Sequence, residues 1–455
     1  MAVAQGIDRR RVGELTEREL ERFLSERPRS AELLARAHRS MPLGVPMAWM
    51  ASLHGHPPLY MDRGEGAYLF DVDGHRLLDT NIADTSMFCG YGPEPVVRAV
   101  SERIRTGSQF LMPSEDAILV AEELARRWAM PKWQFTLSAT LAITEAVRFS
   151  RFVTGRPMLV TFDGKYHGHG DEMLVTVEDG RTVPENPGLP PGVETRVRIV
   201  SFNDAEGLAR ALEPRDVACV LVEPALTNLG VVMPDEGFHA AVRTITRETG
   251  TVLVVDETHT LICGSGGLVR RWGLEPDIVT LGKSIGGGVA IGAYGLTDEI
   301  AARLHAIEEY RGPGSGEEEV ATGGTLFGNP LQMASARAAL TEVLTAEAYE
   351  RTARLGERLG DGIESAAASA GLPWTAHRLF PRSGYSFGGK LPRTGAEARA
   401  DHDAGLWRLL RLWMANRGVW EAMEWAGPAV SVAATDADVD HYLGVLGELV
   451  AELTA

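Results

Sequence analysis

Two apolar, β-branched runs in the middle of the chain each end in a group that can do chemistry. The run 252–255 closes on Asp256-Glu257, and the run 278–281 closes on Gly282-Lys283. Short runs of this kind, bounded by polar and glycine residues, read as buried parallel strands. In open α/β sheets the chemistry lies outside the carboxyl ends of such strands, so Asp256 and Lys283 are expected to share one crevice. A carboxylate and an amine so placed meet the needs of pyridoxal phosphate. Its aldehyde takes a lysine as a Schiff base, and its ring nitrogen takes an acid partner. The lysine then serves as nucleophile and proton carrier. The bland alternative is a surface ion pair. The chain has only four lysines, Lys132, Lys165, Lys283 and Lys390, and only Lys283 follows an apolar run and precedes a glycine-rich turn.

Other motifs are weaker. Gly282-Lys283-Ser284 resembles the end of a phosphate-binding P-loop, but Asp277 stands where that loop needs a glycine. Asp71, Asp73 and Gly74 lack the spacing and closing glutamate of a calcium loop. His167, His169 and Asp171 could be read as metal ligands, but no helical ligand spacing supports that, and no metal is expected.

The elements that must position Asp256 and Lys283 follow from periodicity. Strands are predicted at 135–137, 158–162, 198–202, 218–222, 251–255, 277–281 and 290–296. Helices are predicted at 94–104, 114–128, 142–152, 205–212 and 237–249. Such alternation gives an α/β fold with a mostly parallel, doubly wound sheet. Residues 1–40 read as a helical arm, with Thr16 and Glu19 as a capping box. A hairpin or meander is expected over 41–80, turning at Gly64-Glu65-Gly66 and Asp73-Gly74. The glycine- and glutamate-rich stretch 306–324 reads as a loop, either a solvated linker or a lid over the site. Residues 329–372 are strongly helical, and 373–455 alternate short strands and helices before a last amphipathic helix at 436–453.

With 455 residues, 44% hydrophobic and 24% charged, the chain can build a large core. A net charge of −17 argues against nucleic acid or an anionic membrane as partner. Cys89, Cys219 and Cys263 fit neither a disulfide framework nor a zinc site. The first residues carry no apolar signal segment, and no run is long enough to span a bilayer, so a cytoplasmic protein is expected.

Four ordered stretches carry a family resemblance: YHGHGDEMLV from Tyr166, VEPALTNLGVVMP from Val222, DIVTLGKSIGGGVAIGAYG from Asp277 and GGTLFGNPLQMASA from Gly323. From about Met41 onward the chain resembles the class III aminotransferases, pyridoxal-phosphate enzymes of fold type I. Its nearest branch looks like glutamate-1-semialdehyde aminomutase and the β-amino-acid aminotransferases. The resemblance implies an aminotransferase or aminomutase using a small-molecule amino donor and an oxo acceptor. It also implies a homodimer with shared active sites. Three regions are implied: 1–85, an arm and strands joining the small domain; 86–330, a large cofactor-binding domain; and 331–455, a C-terminal small domain.

Carried over residue by residue, Lys283 is the Schiff-base lysine and Asp256 the ring-nitrogen partner. Tyr166 stacks on the cofactor with His167 beside it, and Thr258 packs on the opposite face. Ser138, Ala139 and Thr140 stand where the family has its phosphate cup, a helix N-terminus whose amides bind phosphate. Asn228 aligns near the site, Glu223 reads as a structural acid, and Thr325 reaches the neighbouring subunit's phosphate. There are departures. Ala139 replaces a glycine, Leu141 a glutamate, and His259 stands where the family has methionine or glutamine. His259 either tunes the cofactor and moves a proton, or is satisfied by a backbone carbonyl. No arginine falls where the β-amino-acid enzymes hold carboxylates. Trp49, Trp420 and Trp425, with Met47, Met50, Met87 and Phe88, point to an apolar or aromatic substrate, and Arg382 is the alternative carboxylate clamp. The same frame would also support racemisation or decarboxylation. A metal-dependent hydrolase and a non-catalytic homologue are the rivals from other classes.

Overall fold

A computed structural model of the chain describes residues 6–53, 55–304, 320, 322–423 and 426–455. Seven strands form the central sheet, in the spatial order Lys132–Thr136, Gly292–Leu296, Ile278–Leu281, Val252–Asp256, Val217–Val222, Met158–Phe162 and Val197–Val200. Gly292–Leu296 is antiparallel to both of its neighbours, and the other pairings are parallel. The central strands read as unbroken apolar runs because helices cover both faces; Val217–Val222 and Val252–Asp256 are buried at every position. Each such valine contributes about 1.5–3 kcal/mol by burial. The parallel strands therefore bring their carboxyl ends to one edge, with Glu223, Asp256 and Gly282-Lys283 on three adjacent strand ends.

A second core lies apart from the sheet. Helices Ala346–Ser369, Ala404–Ala415 and Asp436–Thr454 bury Leu359, Leu410 and Leu446 in it, together with Val12 and Leu15 of the first helix and Leu78 of the N-terminal strands. Those strands form a meander, Met61–Glu65, Tyr68–Asp71 and Arg76–Asp79, to which Val419–Trp420 adds in parallel. The two ends of the chain are thus stitched together.

Several expectations need correcting. The first helix is Arg9–Ser25 and its cap is Asp8, whose side chain accepts from the Arg10 amide. Thr16 is mid-helix, with its hydroxyl donating to the Val12 carbonyl at 2.7 Å, so it caps nothing. The hairpin Val175–Glu178 with Arg181–Pro184 was not anticipated. Of the stretch 306–324, only 320 and 322–324 are among the described residues, so its reading as linker or lid lies outside them; so does Trp425.

Candidate active site

Asp256 ends its strand buried and fully engaged. Its Oδ2 lies 2.8 Å from His167 Nδ1, and its Oδ1 accepts from the Thr258 amide at 3.0 Å, the Thr258 hydroxyl at 2.5 Å and the Thr280 hydroxyl at 3.3 Å. Burial alone would raise its pKa, but His167 and Thr258 outweigh it and hold the carboxyl below its usual range. Asp256 is therefore an anion at neutral pH.

Lys283 opens the turn after the neighbouring strand with φ +49°, a left-handed conformation that is rare outside glycine and asparagine. Its Nζ donates to the Asp84 carboxylate and, at 3.1 Å, to the Asp84 carbonyl. Asp84 itself sits in four consecutive left-handed residues, Ile82, Ala83, Asp84 and Thr85, with φ of 43°, 45°, 53° and 68°. Each costs about 1–2 kcal/mol. Asp79 braces the turn by accepting from the Asn81 and Ile82 amides at 2.9 and 2.8 Å.

The helix Ala139–Thr154 starts beside Lys283. A Cβ built on Gly282 would lie 2.9 Å from Ala139 Cβ, and one on Gly168 would lie 2.2 Å from Thr140 Oγ1. Hence Ser138, Ala139 and Thr140, the loop after Tyr166, and Gly282-Lys283 are in contact. Ser138 caps the helix by accepting from the Leu141 amide at 3.3 Å. Ala139 is helical and outside the positive-φ set, so alanine loses nothing where the family has glycine.

A cavity of about 470 Å³ adjoins this cluster; its lining includes Asp84, Tyr166, Thr227, Asn228 and His259, the apolar Trp49, Leu53, Met423 and Ala426, and the charged Asp163, Lys165, Glu185 and Arg399. Tyr166 is partly exposed to it. Glu223 is buried behind, accepting from the Thr227 hydroxyl, and burial pushes its pKa up to about 8, so it is neutral at pH 7. His259 is also neutral: burial, then the Lys283 ammonium, push it down to about 3. No backbone carbonyl satisfies it. Its Nδ1 is 3.4 Å from Arg382 Nη1 and its Nε2 is 3.8 Å from Asp84.

Two expected substrate contacts fail. Arg382 spends its guanidinium on the Ala426 and Thr227 carbonyls at 2.6 and 2.7 Å, so it is not a free carboxylate clamp. Phe88 is fully buried in the main core. Thr325 is exposed and outside the cavity lining, its carbonyl accepting from Gln109. Asp84 and Asp79 had no sequence signal, because no glycine marks the left-handed turn that carries the one and is braced by the other.

His167 Nε2, Asn228 Nδ2 and His259 Nε2 are buried with no hydrogen-bond partner among the described residues. Unmet buried polar atoms clustered at strand ends mark a place built for a ligand. With an ionised acid, an amine and a helix N-terminus around them, these residues fit pyridoxal phosphate. The family model for aminotransferase class-III matches residues 49–372.

The chain belongs to the class-III aminotransferase family. It is 32% identical over 425 residues to a glutamate-1-semialdehyde 2,1-aminomutase of Desulfitobacterium hafniense, covering 91% of this chain and 96% of that one. A crystal structure of a glutamate-1-semialdehyde aminomutase from Pseudomonas aeruginosa PAO1, in complex with PMP, is similar at 37% identity and TM-score 0.94, covering 98% of this chain and all of that one. A β-phenylalanine aminotransferase from Variovorax paradoxus is similar at 27% identity and TM-score 0.86, over 96% of this chain and 97% of that one. The class-III aminotransferase described here is accordingly a pyridoxal-phosphate-dependent enzyme of fold type I, an aminotransferase or aminomutase working on amino and oxo substrates. No helix among the described residues is long and apolar enough to cross a membrane.

Proposed function

We propose that this enzyme moves an amino group on a substrate with an apolar or aromatic side, with Lys283 as the cofactor-bonded amine. The observation that carries this is the contact of three parts at one sheet edge: Lys283 in its left-handed turn, the ionised Asp256 one strand over, and the helix start at Ala139 against Gly282. Bound pyridoxal phosphate supplies an aldehyde for amine exchange and a ring that takes up the electron pair left on the amine-bearing carbon. Asp256 holds the ring nitrogen's proton, and His167 fixes the rotation of Asp256 through the 2.8 Å contact. Lys283 Nζ, freed when the substrate amine takes its place, would take the proton from the amine-bearing carbon and deliver it to the cofactor's former aldehyde carbon. The amides at Ser138, Ala139 and Thr140, at the start of the helix, would hold the phosphate. Tyr166 and Thr258 would hold the ring between them, and Asn228 and His259 would offer it their unmet nitrogens. His259 acts as a neutral polar group there, not as a charged acid.

The reading includes a homodimer. Phe110, Leu111 and Met112 are consecutive and 49%, 74% and 71% exposed, a run of large apolar side chains open to a partner. The Thr325 segment lies against it through Gln109, which supports delivery of Thr325 to the partner's phosphate. A cytoplasmic location accords with three buried free cysteines. The test is a half-reaction with a panel of amines. Release of an oxo product and persistence of the amine form of the cofactor support an aminotransferase. Aminomutation is favoured by the similarity to aminomutases, and would return an isomeric amine with no oxo product accumulating.

A further inference from the structure

The Asp84 carboxylate has no place in the roles above, yet it lines the cavity and holds the Lys283 ammonium. The other charges around it are committed. Arg382 faces the Thr227 and Ala426 carbonyls, Asp256 faces His167, and His259 is a neutral ring 3.8 Å away. Lys283 is the only cation hydrogen-bonded to Asp84 among the described residues. When Lys283 is bonded to the cofactor, Asp84 loses this partner and remains in the wall of the cavity. Burial works against its charge, and the Lys283 ammonium, helped by Arg382, holds its pKa below the usual range; an arriving substrate ammonium takes the place that Lys283 leaves. The two other cations of the cavity wall are committed, Arg399 to the Asp163 carboxylate and Lys165 to the Met173 carbonyl, and Trp49, Leu53, Met423 and Ala426 are uncharged.

We propose that Asp84 is a specificity-determining residue: it attracts the incoming substrate ammonium and rejects a carboxylate on the same carbon. The substrate class is then amines whose amine-bearing carbon carries an apolar group or an uncharged carbonyl, any carboxylate lying further along. Like charges brought together in a partly desolvated site cost more than the matching attraction gains, so exclusion is the larger effect. This rests on Lys283 holding the cofactor.

The experiment titrates the cofactor-loaded enzyme by calorimetry with phenylacetate and with phenylacetamide, which share a shape and differ in charge. The wild type should bind the amide about tenfold more tightly, and Asp84→Asn should bring the two within about threefold. Asparagine tolerates the left-handed turn as aspartate does, so the variant should fold. Asp84→Glu should restore much of the preference. In turnover, Asp84→Asn should raise kcat/KM for phenylalanine relative to phenylethylamine by about tenfold. Equal affinities in the wild type, or an unchanged ratio in Asp84→Asn, would overturn the proposal while the cofactor's visible band stays intact. Absence of that band in the wild type would overturn the functional reading, and this inference with it.

Discussion

Asp256 and Glu257 are consecutive, both buried, and close the same strand, but they serve opposite sides of it. On the crevice side, Asp256 is met by an imidazole and two hydroxyls and is held ionised. On the reverse side, Glu257 accepts from the Thr260 hydroxyl at 2.5 Å and from the Leu268 and Val269 amides at 3.1 and 2.5 Å, knitting the following helix onto the sheet. Burial, the largest influence on it, raises its pKa to about 7. Alternation along the strand makes this split possible. Burial alone therefore does not identify a functional acid; the partners do. A carboxylate kept charged beside unmet polar atoms awaits a ligand, and one spent on backbone amides is structure.

The comparison can be broken most sharply at Lys283. Lys283→Ala should lower turnover by at least about a thousandfold, since it removes the proton carrier. Its urea midpoint in the cofactor-free protein should fall as well, because the side chain is the cation bonded to Asp84 in the left-handed turn. Next, Asp256→Asn should cost about a hundredfold in kcat with a small change in stability. The reverse pattern is expected behind the sheet. Glu257→Gln would set amide hydrogens against the Leu268 or Val269 N–H and cost about 1–3 kcal/mol in denaturant unfolding, with kcat nearly unchanged. Gly267→Ala should act the same way at about 1–3 kcal/mol: Gly267 has φ +59°, and a Cβ there would lie 2.3 Å from Glu257 Oε1. Equal kcat losses in Asp256→Asn and Glu257→Gln would erase the distinction.

The smallest effect is in pH dependence. Glu257 has a folded pKa raised above its unfolded value. Its contribution is fully present below about 4.5 and is lost as pH rises through about 7. Asp256 has a lowered pKa, so its contribution is present above its unfolded value of 3.8 and is lost on acidification below it. Thermal unfolding across pH should therefore show the Glu257→Gln deficit shrinking from pH 4.5 to 7, and the Asp256→Asn deficit shrinking only in acid.

The parallel sheet and the two strand ends were legible because valine-rich runs buried on both faces leave little choice of structure. The antiparallel course of Gly292–Leu296 was not, since a buried run reads the same in either direction. The first helix's cap was misplaced because Thr16 and Glu19 match a capping pattern that the Asp8 cap, about two turns earlier, overrides. Asp84 was invisible for a deeper reason. Four left-handed residues without a glycine are opposed by local sterics, and the Asp79 brace, the Lys283 contact and backbone bonds such as the Met87 amide to the Ile82 carbonyl at 3.0 Å hold them.

The central claim is the bond between the cofactor aldehyde and one particular amine. Borohydride reduction of the cofactor-loaded protein, followed by peptide mapping, fixes that bond where it stands. The account predicts the pyridoxyl group on the peptide containing Lys283 and on no other. Its appearance on Lys165 or Lys390, or on no lysine at all, would contradict it.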